Sequence, residues 1–263
     1  FTIGVINGKP SLQANWGGRI YGTPLSLLGS GGTKDSIDVA DIKASGNIIF
    51  DRSSSVYNNS NRILMVGGIT DTGDGNMAVG DFDTLSSLTT GAGDNNLAIG
   101  ASAGKIITTG SHNVCVGYQA GNAVTTGAGN VFIGNRCGTT SDDATIDGIS
   151  NVVIGHEAMR PANNDCSPNS NVFIGHQSGG NIGGSGEAVG DPIQNVGVGQ
   201  GTLNGVAGEG NVGIGYNAGN TTSITGNYNI LIGAATNVST AAASNQIVLG
   251  KGTCPADNTT FIN

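Results

Sequence analysis

Three observations predict that this 263-residue chain is all-β and folds as a parallel β-solenoid with coils of about 17–20 residues. An Asn followed by a short aliphatic run and a Gly recurs ten times. Glycine contributes 47 residues without a Gly-x-y register, which excludes collagen. Only 11% of residues are charged, which suits an elongated stack of coils better than a compact enzyme.

The repeat is a five-residue unit that begins with Asn and ends with Gly. Its clearest copies span residues 96–100, 113–117, 130–134 and 171–175. The other copies begin at Asn76, Asn151, Asn195, Asn211, Asn229 and, with one extra residue, Asn245. Successive motif-ending glycines are 16 to 24 residues apart, which is a spacing typical of solenoid coils. A single repeat cannot bury its apolar face alone, so we expect the coils to stack.

Each unit predicts a short strand whose first and third aliphatic residues share one face. In the copy that begins at Asn130 these residues are Val131 and Ile133, and we expect such pairs to stack into the solenoid core. The residue between them points the other way but is also mostly apolar. In successive copies it is Ala78, Ala98, Cys115, Phe132, Val153, Phe173, Gly197, Gly213 and Leu231. We therefore expect this second face to be covered, most simply by neighbouring chains.

The Asn and the Gly of each unit are expected at corners of the coil. Asn tolerates left-handed backbone, and its amide can bond to the backbone or to an Asn in the next coil. Gly adopts positive φ without steric cost. A second Gly often follows four residues later and predicts another tight corner with little room for a side chain: Gly104, Gly121, Gly138, Gly179 and Gly219. Thr-Thr-Gly elements at 89–91, 108–110 and 125–127 predict a short second strand and a turn.

Two regions are expected in the chain. Residues 1–60 lack the clean repeat and are interpreted as an irregular β cap or connector, whereas residues 61–263 form the solenoid domain. Residues 62–67 look like a degenerate copy of the unit. Insertions at 139–150, 160–170 and 180–194 are polar and rich in Gly, Asp, Asn and Pro, as loops are. Because solenoid insertions collect on one side, we predict that residues 139–194 form an outward-facing recognition surface.

The bulk charge restricts the partners. A net charge of −8 argues against binding nucleic acid through its phosphates and against adsorption to anionic membranes. No run of 18 apolar residues is present, so we expect no membrane insertion. Phe1 is not an initiator methionine, so we expect a processed, truncated or incomplete N-terminus.

Two sets of residues are candidate ion ligands. His156 and His176 each follow a motif Gly directly, so they are expected to stack in adjacent coils and could hold a metal. Tyr118, Asn135, Gln200 and Tyr216 fill the same slot elsewhere, which favours an exposed polar ladder instead. Acidic residues cluster at Asp71, Asp74, Asp81 and Asp83 and again at Asp142, Asp143 and Asp147. They match no calcium-loop pattern, so we expect solvated loop carboxylates and no metal.

No catalytic residue is predicted, and we expect no enzyme activity and no cofactor. A polysaccharide-degrading tailspike would need two carboxylates in a sugar-sized groove, and Glu157, Glu187 and Glu209 have no suggestive context. Ser102 lies in a Gly-x-Ser-x-Gly string, but a hydrolase needs a strand-to-helix turn and a His there. The two glycines of that string are ordinary repeat corners.

The cysteines Cys115, Cys137, Cys166 and Cys254 lack the Cys-x-x-Cys spacing of a zinc ribbon or redox pair. Cys115 occupies the middle slot of a unit and is interpreted as a small apolar filler. A disulfide remains possible, and the sequence does not assign one. The glycosylation sequons at Asn58, Asn220, Asn237 and Asn258 are expected by chance in a chain so rich in Asn, Ser and Thr.

The unit Asn-Val-Phe-Ile-Gly-x-x-x-Gly, followed by Thr-Thr-Gly, resembles repeats of phage and virus tail-fibre proteins. It is also similar to the Asn-x-Val-x-Ile-Gly unit in the heads of trimeric autotransporter adhesins. The stretch 245–263 is similar to fibre segments that precede an endosialidase-type intramolecular chaperone. The resemblance covers residues 62–263. It implies an intertwined homotrimer of parallel left-handed β-rolls, which would explain a covered second face.

The irregular spacing of the repeats favours the viral fibre over the more regular adhesin head. We therefore expect a structural and host-attachment segment of a virion tail fibre, located outside the cell, that presents receptor-binding loops. Its expected partners are two further copies of the chain, other tail or baseplate proteins, and a glycan or protein receptor on the host. The alternatives are a bacterial trimeric adhesin head and a polysaccharide-degrading tailspike. Neighbouring genes would distinguish virus from bacterium, and degradation of host glycans would identify the tailspike.

Overall fold

Long stretches of the repeat region are described by the computed structural model. It describes residues 75–81, 83–89, 93–140, 145–160, 166–182, 192–220, 224–256 and 260–262, and the backbone of four strands that precede them. The chain divides into two compact units, residues 1–48 and 49–263. In the first unit, strands β1 (Thr2–Ile6) and β2 (Lys9–Gln13) form an antiparallel hairpin.

The second unit begins with another antiparallel hairpin and continues as a parallel sheet. The hairpin consists of β3 (Ser55–Asn58) and β4 (Asn61–Met65). The prediction of a degenerate repeat at 62–67 is therefore wrong. Most of this segment belongs to β4, which pairs with β3 in antiparallel orientation and not as a parallel coil. The described residues then contribute eleven three-residue strands to one sheet: β5 (Met77–Val79), β6 (Leu97–Ile99), β7 (Val114–Val116), β8 (Val131–Ile133), β9 (Val152–Ile154), β10 (Val172–Ile174), β11 (Val196–Val198), β12 (Val212–Ile214), β13 (Ile230–Ile232), β14 (Ile247–Leu249) and β15 (Thr260–Ile262).

Each strand of this sheet pairs in parallel with the next strand along the chain. Val131 pairs with Val152, Phe132 with Val153 and Ile133 with Ile154, and the other pairs keep the same register. This sequential order is the mark of a solenoid, because each coil adds one strand on top of the previous one. The prediction of an all-β parallel β-solenoid is confirmed, and the described residues contain no helix. Consequently no membrane-spanning helix is found in the part of the chain that the structure describes.

The core lies on the opposite face of the strands from the one predicted. The middle residue is buried in β5 to β14 and half-buried in β15, and Phe132, Val153 and Phe173 are fully buried. The first and third residues, including Val131 and Ile133, point outward and are partly or largely exposed. Period-two alternation shows only that two faces are opposite, and both faces here are apolar. The interior is narrow, so each strand contributes a single side chain of variable size to it.

A ladder of buried amides runs along one edge of the strands. At Asn130, the backbone N–H and the Nδ2 group both donate to Asn113 Oδ1, at 3.0 and 3.1 Å. Nδ2 also donates to Gly148 O at 2.9 Å, and Asn130 Oδ1 accepts the same pair of bonds from Asn151. The predicted bonding of each Asn to the backbone and to the next Asn is confirmed. The ladder satisfies groups that would otherwise be buried without partners.

The left-handed residue, however, is the one before the ladder position. Examples are Asn95, His112 and Ser150, with φ of 56°, 60° and 60°. This also corrects the last copy of the repeat. Asn245 has φ of 57°, whereas Gln246 takes the ladder position and donates its backbone N–H to Asn229 Oδ1 at 3.0 Å. The unit therefore contains no extra residue and starts at Gln246.

The two glycine corners exclude side chains for different reasons. At the first corner, the Cβ of an alanine at Gly134 would lie 2.3 Å from the carbonyl oxygen of Gly155 in the next coil. At the second, a Cβ on Gly138 would lie 2.3 Å from Cδ1 of Phe132. The prediction of little room for a side chain at the second corner is confirmed, and the first corner, with φ of 140° at Gly134, is equally crowded.

The Thr-Thr-Gly elements join neighbouring coils by backbone hydrogen bonds without forming regular strands. Thr89 N donates to Thr108 O at 3.0 Å, and Thr108 N donates to Thr125 O at 2.9 Å. Isolated parallel bridges nearby join Val124 to Ile146 and Ile146 to Cys166. The predicted second strand is thus reduced to bridges, although the pairing between coils is present.

Candidate functional site

The candidate site lies at the corner that follows each strand, where two polar columns run along the solenoid. The first column contains the residue directly after each motif Gly and is exposed at Tyr118, Asn135, His156, His176, Gln200 and Tyr216. The second contains the next residue, which has left-handed backbone at Gln119, Arg136, Glu157, Gln177 and Asn217. Backbone N–H groups of the second column donate to carbonyls of the first column in the preceding coil, which holds both columns in register.

His156 and His176 stack as the sequence predicts. Their ring centroids are 5.2 Å apart and their planes differ by 7°. The stack follows from the parallel pairing of β9 with β10, which places equivalent positions of adjacent coils directly above one another. Both imidazoles are exposed and therefore available to a partner.

Glu157 is at the centre of the site. Its Oε2 accepts a hydrogen bond from Gln177 Nε2 at 3.1 Å, and its Oε1 lies 3.8 Å from Arg136 Nη1 and 3.9 Å from Arg160 Nη1. The hydrogen bond from Gln177 lowers the pKa of Glu157, and partial burial opposes that shift. The nearby charges of Arg160, His156 and Arg136 lower the pKa further, so the carboxylate is ionised at neutral pH.

A small polar cleft opens beside this carboxylate. Its volume is about 80 Å³, and it is lined by Glu157, Arg160, Gln177, Gly180, Asn181 and Asn204. Asn181 Nδ2 donates to Asn204 Oδ1 at 2.9 Å, which ties two coils together across the cleft. The cleft lies within and just beyond the predicted recognition surface of residues 139–194. Within that range, residues 141–144, 161–165 and 183–191 lie outside the described residues.

His156, Glu157 and His176 form a group of potential metal ligands, with one ligand atom of each within 4.8 Å of the others. Two features oppose a cation there. Parallel rings 5.2 Å apart do not aim their nitrogens at one point, whereas a zinc ion needs each donor about 2.0–2.2 Å away. Two guanidinium groups also flank the carboxylate that would bind the ion. The arrangement therefore suits an anion better than a metal.

The positive charge of this site stands out in an acidic chain. The described part of the repeat region contains four Lys and Arg residues: Lys105, Arg136, Arg160 and Lys251. Lys105 is paired with Asp83 at 2.9 Å. Two of the remaining three flank Glu157, and both histidine rings of the stack are on the same rim. The net charge of the chain is −8, so this cluster is a local exception.

The acidic clusters form bonds between coils. Asp81 accepts bonds from Ser102 N at 2.8 Å, Thr84 Oγ1 at 3.0 Å and Asp83 N at 3.1 Å. Burial raises the pKa of Asp81, but these hydrogen bonds outweigh it and leave the pKa below its usual value. The carboxylate is therefore engaged in protein bonds, although the residue is still partly exposed to solvent as predicted.

Asp147 behaves in the same way. It accepts bonds from Thr125 Oγ1 and, at 3.1 Å, from Thr126 N. Burial raises the pKa of Asp147, but the bonds from the two threonines leave it below the usual value. Asp71, Asp74, Asp142 and Asp143 lie outside the described residues.

The other described candidates for catalysis make hydrogen bonds to neighbouring side chains. Ser102 is in a turn with φ of 57°, and its Oγ is 3.4 Å from Asp81 Oδ2. In the described segment no helix follows it, so the strand-to-helix geometry of a hydrolase is absent there. Glu209 accepts a hydrogen bond from the Tyr228 hydroxyl, which raises the pKa of that tyrosine. Glu187 lies outside the described residues.

All four cysteines are buried, and none forms a disulfide. Burial raises the pKa of the Cys115 and Cys137 thiols to about 12, which leaves them protonated and unreactive at neutral pH. Cys115 is a core filler, as its place in the middle of β7 indicates.

Arg136 and Arg160 are the site residues that sequence reasoning missed. One signal could have found Arg136. It is the second residue after a motif Gly, as are Glu157 and Gln177, so stacked coils must place these three side chains in one column. Arg160 offered no such signal. It follows the second corner of its coil, at the start of the insertion 160–170, where the coils no longer align by position.

Family models, curated proteins and solved structures were all compared with this chain, and none of them matches it.

Proposed function

We propose that this chain is a structural and host-attachment segment of a viral tail fibre, in which three copies associate into a rigid rod. One observation carries the proposal. The outer face of the eleven-stranded sheet is a ladder of mostly aliphatic side chains that the described residues leave partly exposed.

The exposed part of this face is regular. The third residue of six strands leaves 36–39% of its surface uncovered: Ile99, Ile133, Ile174, Val198, Ile214 and Ile232. Covering the exposed part of one such side chain contributes about 0.5–1 kcal/mol, and the contributions accumulate along the rod. A large contiguous apolar surface on a soluble protein marks an interaction site.

The shape of the face favours further copies of this chain as its partner. The face repeats at every coil and has no charged residue in its strands from β5 to β14. A partner with the same repeat would match it coil by coil, as symmetric assemblies require. The closed trimer and the left-handed β-roll remain those implied by the resemblance to tail fibres and adhesin heads.

The attachment role is supported by the way a rod displays its loops. A stiff trimer carries every surface loop three times, so weak contacts with a host surface add up to avidity. The insertions between 139 and 194 are then the places where recognition is expected.

The mass of the assembly tests the proposal. Sedimentation equilibrium or native mass spectrometry of the full chain is expected to give three times 26.0 kDa. Ile133→Lys combined with Ile174→Lys is expected to dissociate the trimer, because six buried charges would face one another without partners.

The matched control is Thr109→Lys combined with Thr240→Lys, which adds the same two charges at exposed positions outside the strands and should leave the trimer intact. A monomeric wild-type chain at micromolar concentration would overturn the proposal. So would a trimer that is indifferent to both lysines on the sheet face.

A further inference from the structure

We infer that the cluster around Arg136, Glu157 and Arg160 binds the carboxylate of an acidic saccharide. The inference rests on the proposed attachment function and names the chemical class of the host receptor. It assigns the arginines to the carboxylate, and the amides of the neighbouring cleft to the sugar hydroxyls.

The first argument is charge. Two guanidinium groups face a single carboxylate, so the centre of the cluster keeps a surplus of positive charge. Arginine side chains stay charged at any pH at which the protein is folded. The rest of the chain is acidic and repels anions. A negatively charged ligand is therefore expected to bind at this positively charged cluster.

The second argument is that N–H donors of both arginines make no hydrogen bond within the described residues. The Nε atoms of Arg136 and Arg160 are buried and have no hydrogen-bond acceptor among the described residues. Their Nη1 atoms lie 3.8 and 3.9 Å from Glu157, which is beyond hydrogen-bond distance. Glu157 therefore holds the two side chains near each other without satisfying them. A ligand carboxylate can accept the paired N–H groups of a guanidinium in fork geometry once the side chain turns toward it.

The third argument is the composition of the cleft. Beside Arg160 it presents the amides of Gln177, Asn181 and Asn204. An amide carries both donors and acceptors, as is needed to recognise hydroxyl groups, which do the same. A volume of about 80 Å³ accommodates a carboxylate with part of a sugar ring, and the remainder of the chain would lie along the rim.

The exposed rings of His156 and His176 adjoin this rim, because His156 directly precedes Glu157 and His176 directly precedes Gln177. A planar stack of rings at the edge of a polar cleft offers a surface against which the apolar face of a sugar can pack. An extended glycan lying parallel to the solenoid axis would contact several coils at once.

The experiment uses the full chain and a printed panel of carboxylated, sulfated and neutral oligosaccharides of matched length. Binding is expected to concentrate on glycans that contain uronic or sialic acid. For the best carboxylated glycan, Arg160→Gln and Arg136→Gln should each weaken affinity by about tenfold to a hundredfold. Arg160→Lys should lose most of the affinity as well, because lysine keeps the charge but not the planar fork.

Lys105→Gln is the matched control, since it removes one positive charge away from the cluster and should leave binding unchanged. Binding to neutral glycans as strong as to carboxylated ones, preference for sulfated glycans, or no binding to any carboxylated glycan would each overturn the inference. Zinc uptake that is lost on Glu157→Gln would also overturn it, because the cluster would then be a metal site. A trimer that binds no carboxylated glycan contradicts this inference alone, whereas a monomer that binds one contradicts only the proposed assembly.

Discussion

Two neighbouring coils fill the solenoid interior from different positions, one from the middle of its strand and the other from the second corner. In one, Phe173 occupies the middle of β10 and the corner residue is Gly179; in the other, Gly197 occupies the middle of β11 and the corner residue is Leu203. Phe173 and Leu203 are both fully buried. A Cβ on Gly179 would lie 2.6 Å from the ring of Phe173, and a Cβ on Gly197 would lie 2.9 Å from Cδ1 of the same ring.

The comparison teaches that the large interior side chain of a coil can come from either position, with Gly at the other. A large middle residue requires Gly at the corner, as at Phe132 with Gly138. A small middle residue permits a large corner residue, even one with φ of 47° as at Leu203. Left-handed backbone costs a leucine about 1–2 kcal/mol, and burying its side chain offsets that cost.

The largest expected effect comes from emptying the first coil. Phe173→Gly removes a fully buried ring and is expected to lower the free energy of unfolding by about 4 kcal/mol or more. Adding Gly179→Leu to Phe173→Gly imitates the second coil and should recover about 1–3 kcal/mol of that loss. Chemical denaturation at one fixed protein concentration measures both variants. A double variant less stable than Phe173→Gly alone would contradict the idea that a large side chain at the corner can replace one in the strand.

Crowding the same corner is expected to have the next largest effect. Gly179→Ala in the wild-type background combines left-handed backbone with a Cβ 2.6 Å from Phe173, so we expect a loss of about 3 kcal/mol. Gly129→Ala is the control, since Gly129 has a similar φ of 67° but its nearest neighbour would be 3.8 Å away. It should lose only the backbone part, about 1 kcal/mol, in the same denaturation assay. Equal losses at both positions would show that space at the corner is irrelevant.

Emptying the second coil should have a smaller effect than emptying the first. Leu203→Gly removes a buried leucine side chain but also relieves its left-handed backbone. The two contributions oppose each other, so we expect a net loss of about 2 kcal/mol. Thermal or chemical unfolding of this variant beside Phe173→Gly measures the difference. A loss as large as that of Phe173→Gly would mean that the strain at Leu203 is negligible.

The smallest effect is expected from pH at the rim of these coils. The pKa of Glu157 in the folded chain is below its ordinary value of 4.5, so its carboxylate stabilises the fold above that pH. This contribution is lost as pH falls below 4.5 through the folded pKa. Wild type should lose up to about 1 kcal/mol more than Glu157→Gln between pH 6 and acid unfolding, since partly exposed ion pairs contribute little. Parallel denaturation curves of the two proteins at all pH values would contradict this assignment.

Much of the fold could be predicted because its determinants are local. Asn130 and Gly134 have side-chain and backbone requirements that hold in every coil, so their recurrence predicts stacked strands and corners. The arginine cluster could not be predicted in the same way. Glu157 and Gln177 share the second position after a motif Gly, which places them in one column, but that position does not fix their contact with an arginine. Arg160 lies on a segment where insertions change the spacing from coil to coil.

The sequence by itself determined the β-solenoid, its strands and its glycine corners, because an amide ladder and positive φ require particular residue types at fixed intervals. Only the tertiary structure decided which strand face is the core. Alternation places Phe132 on one face of the strand and Val131 and Ile133 on the other. Both faces are apolar, so the local sequence does not show which of them faces the interior. The available volume explains this choice of face, because the interior of each coil has room for one strand side chain and for the side chain at the second corner only where that strand residue is small. The aliphatic pairs were thereby placed outside, where they form the surface on which the proposed assembly depends.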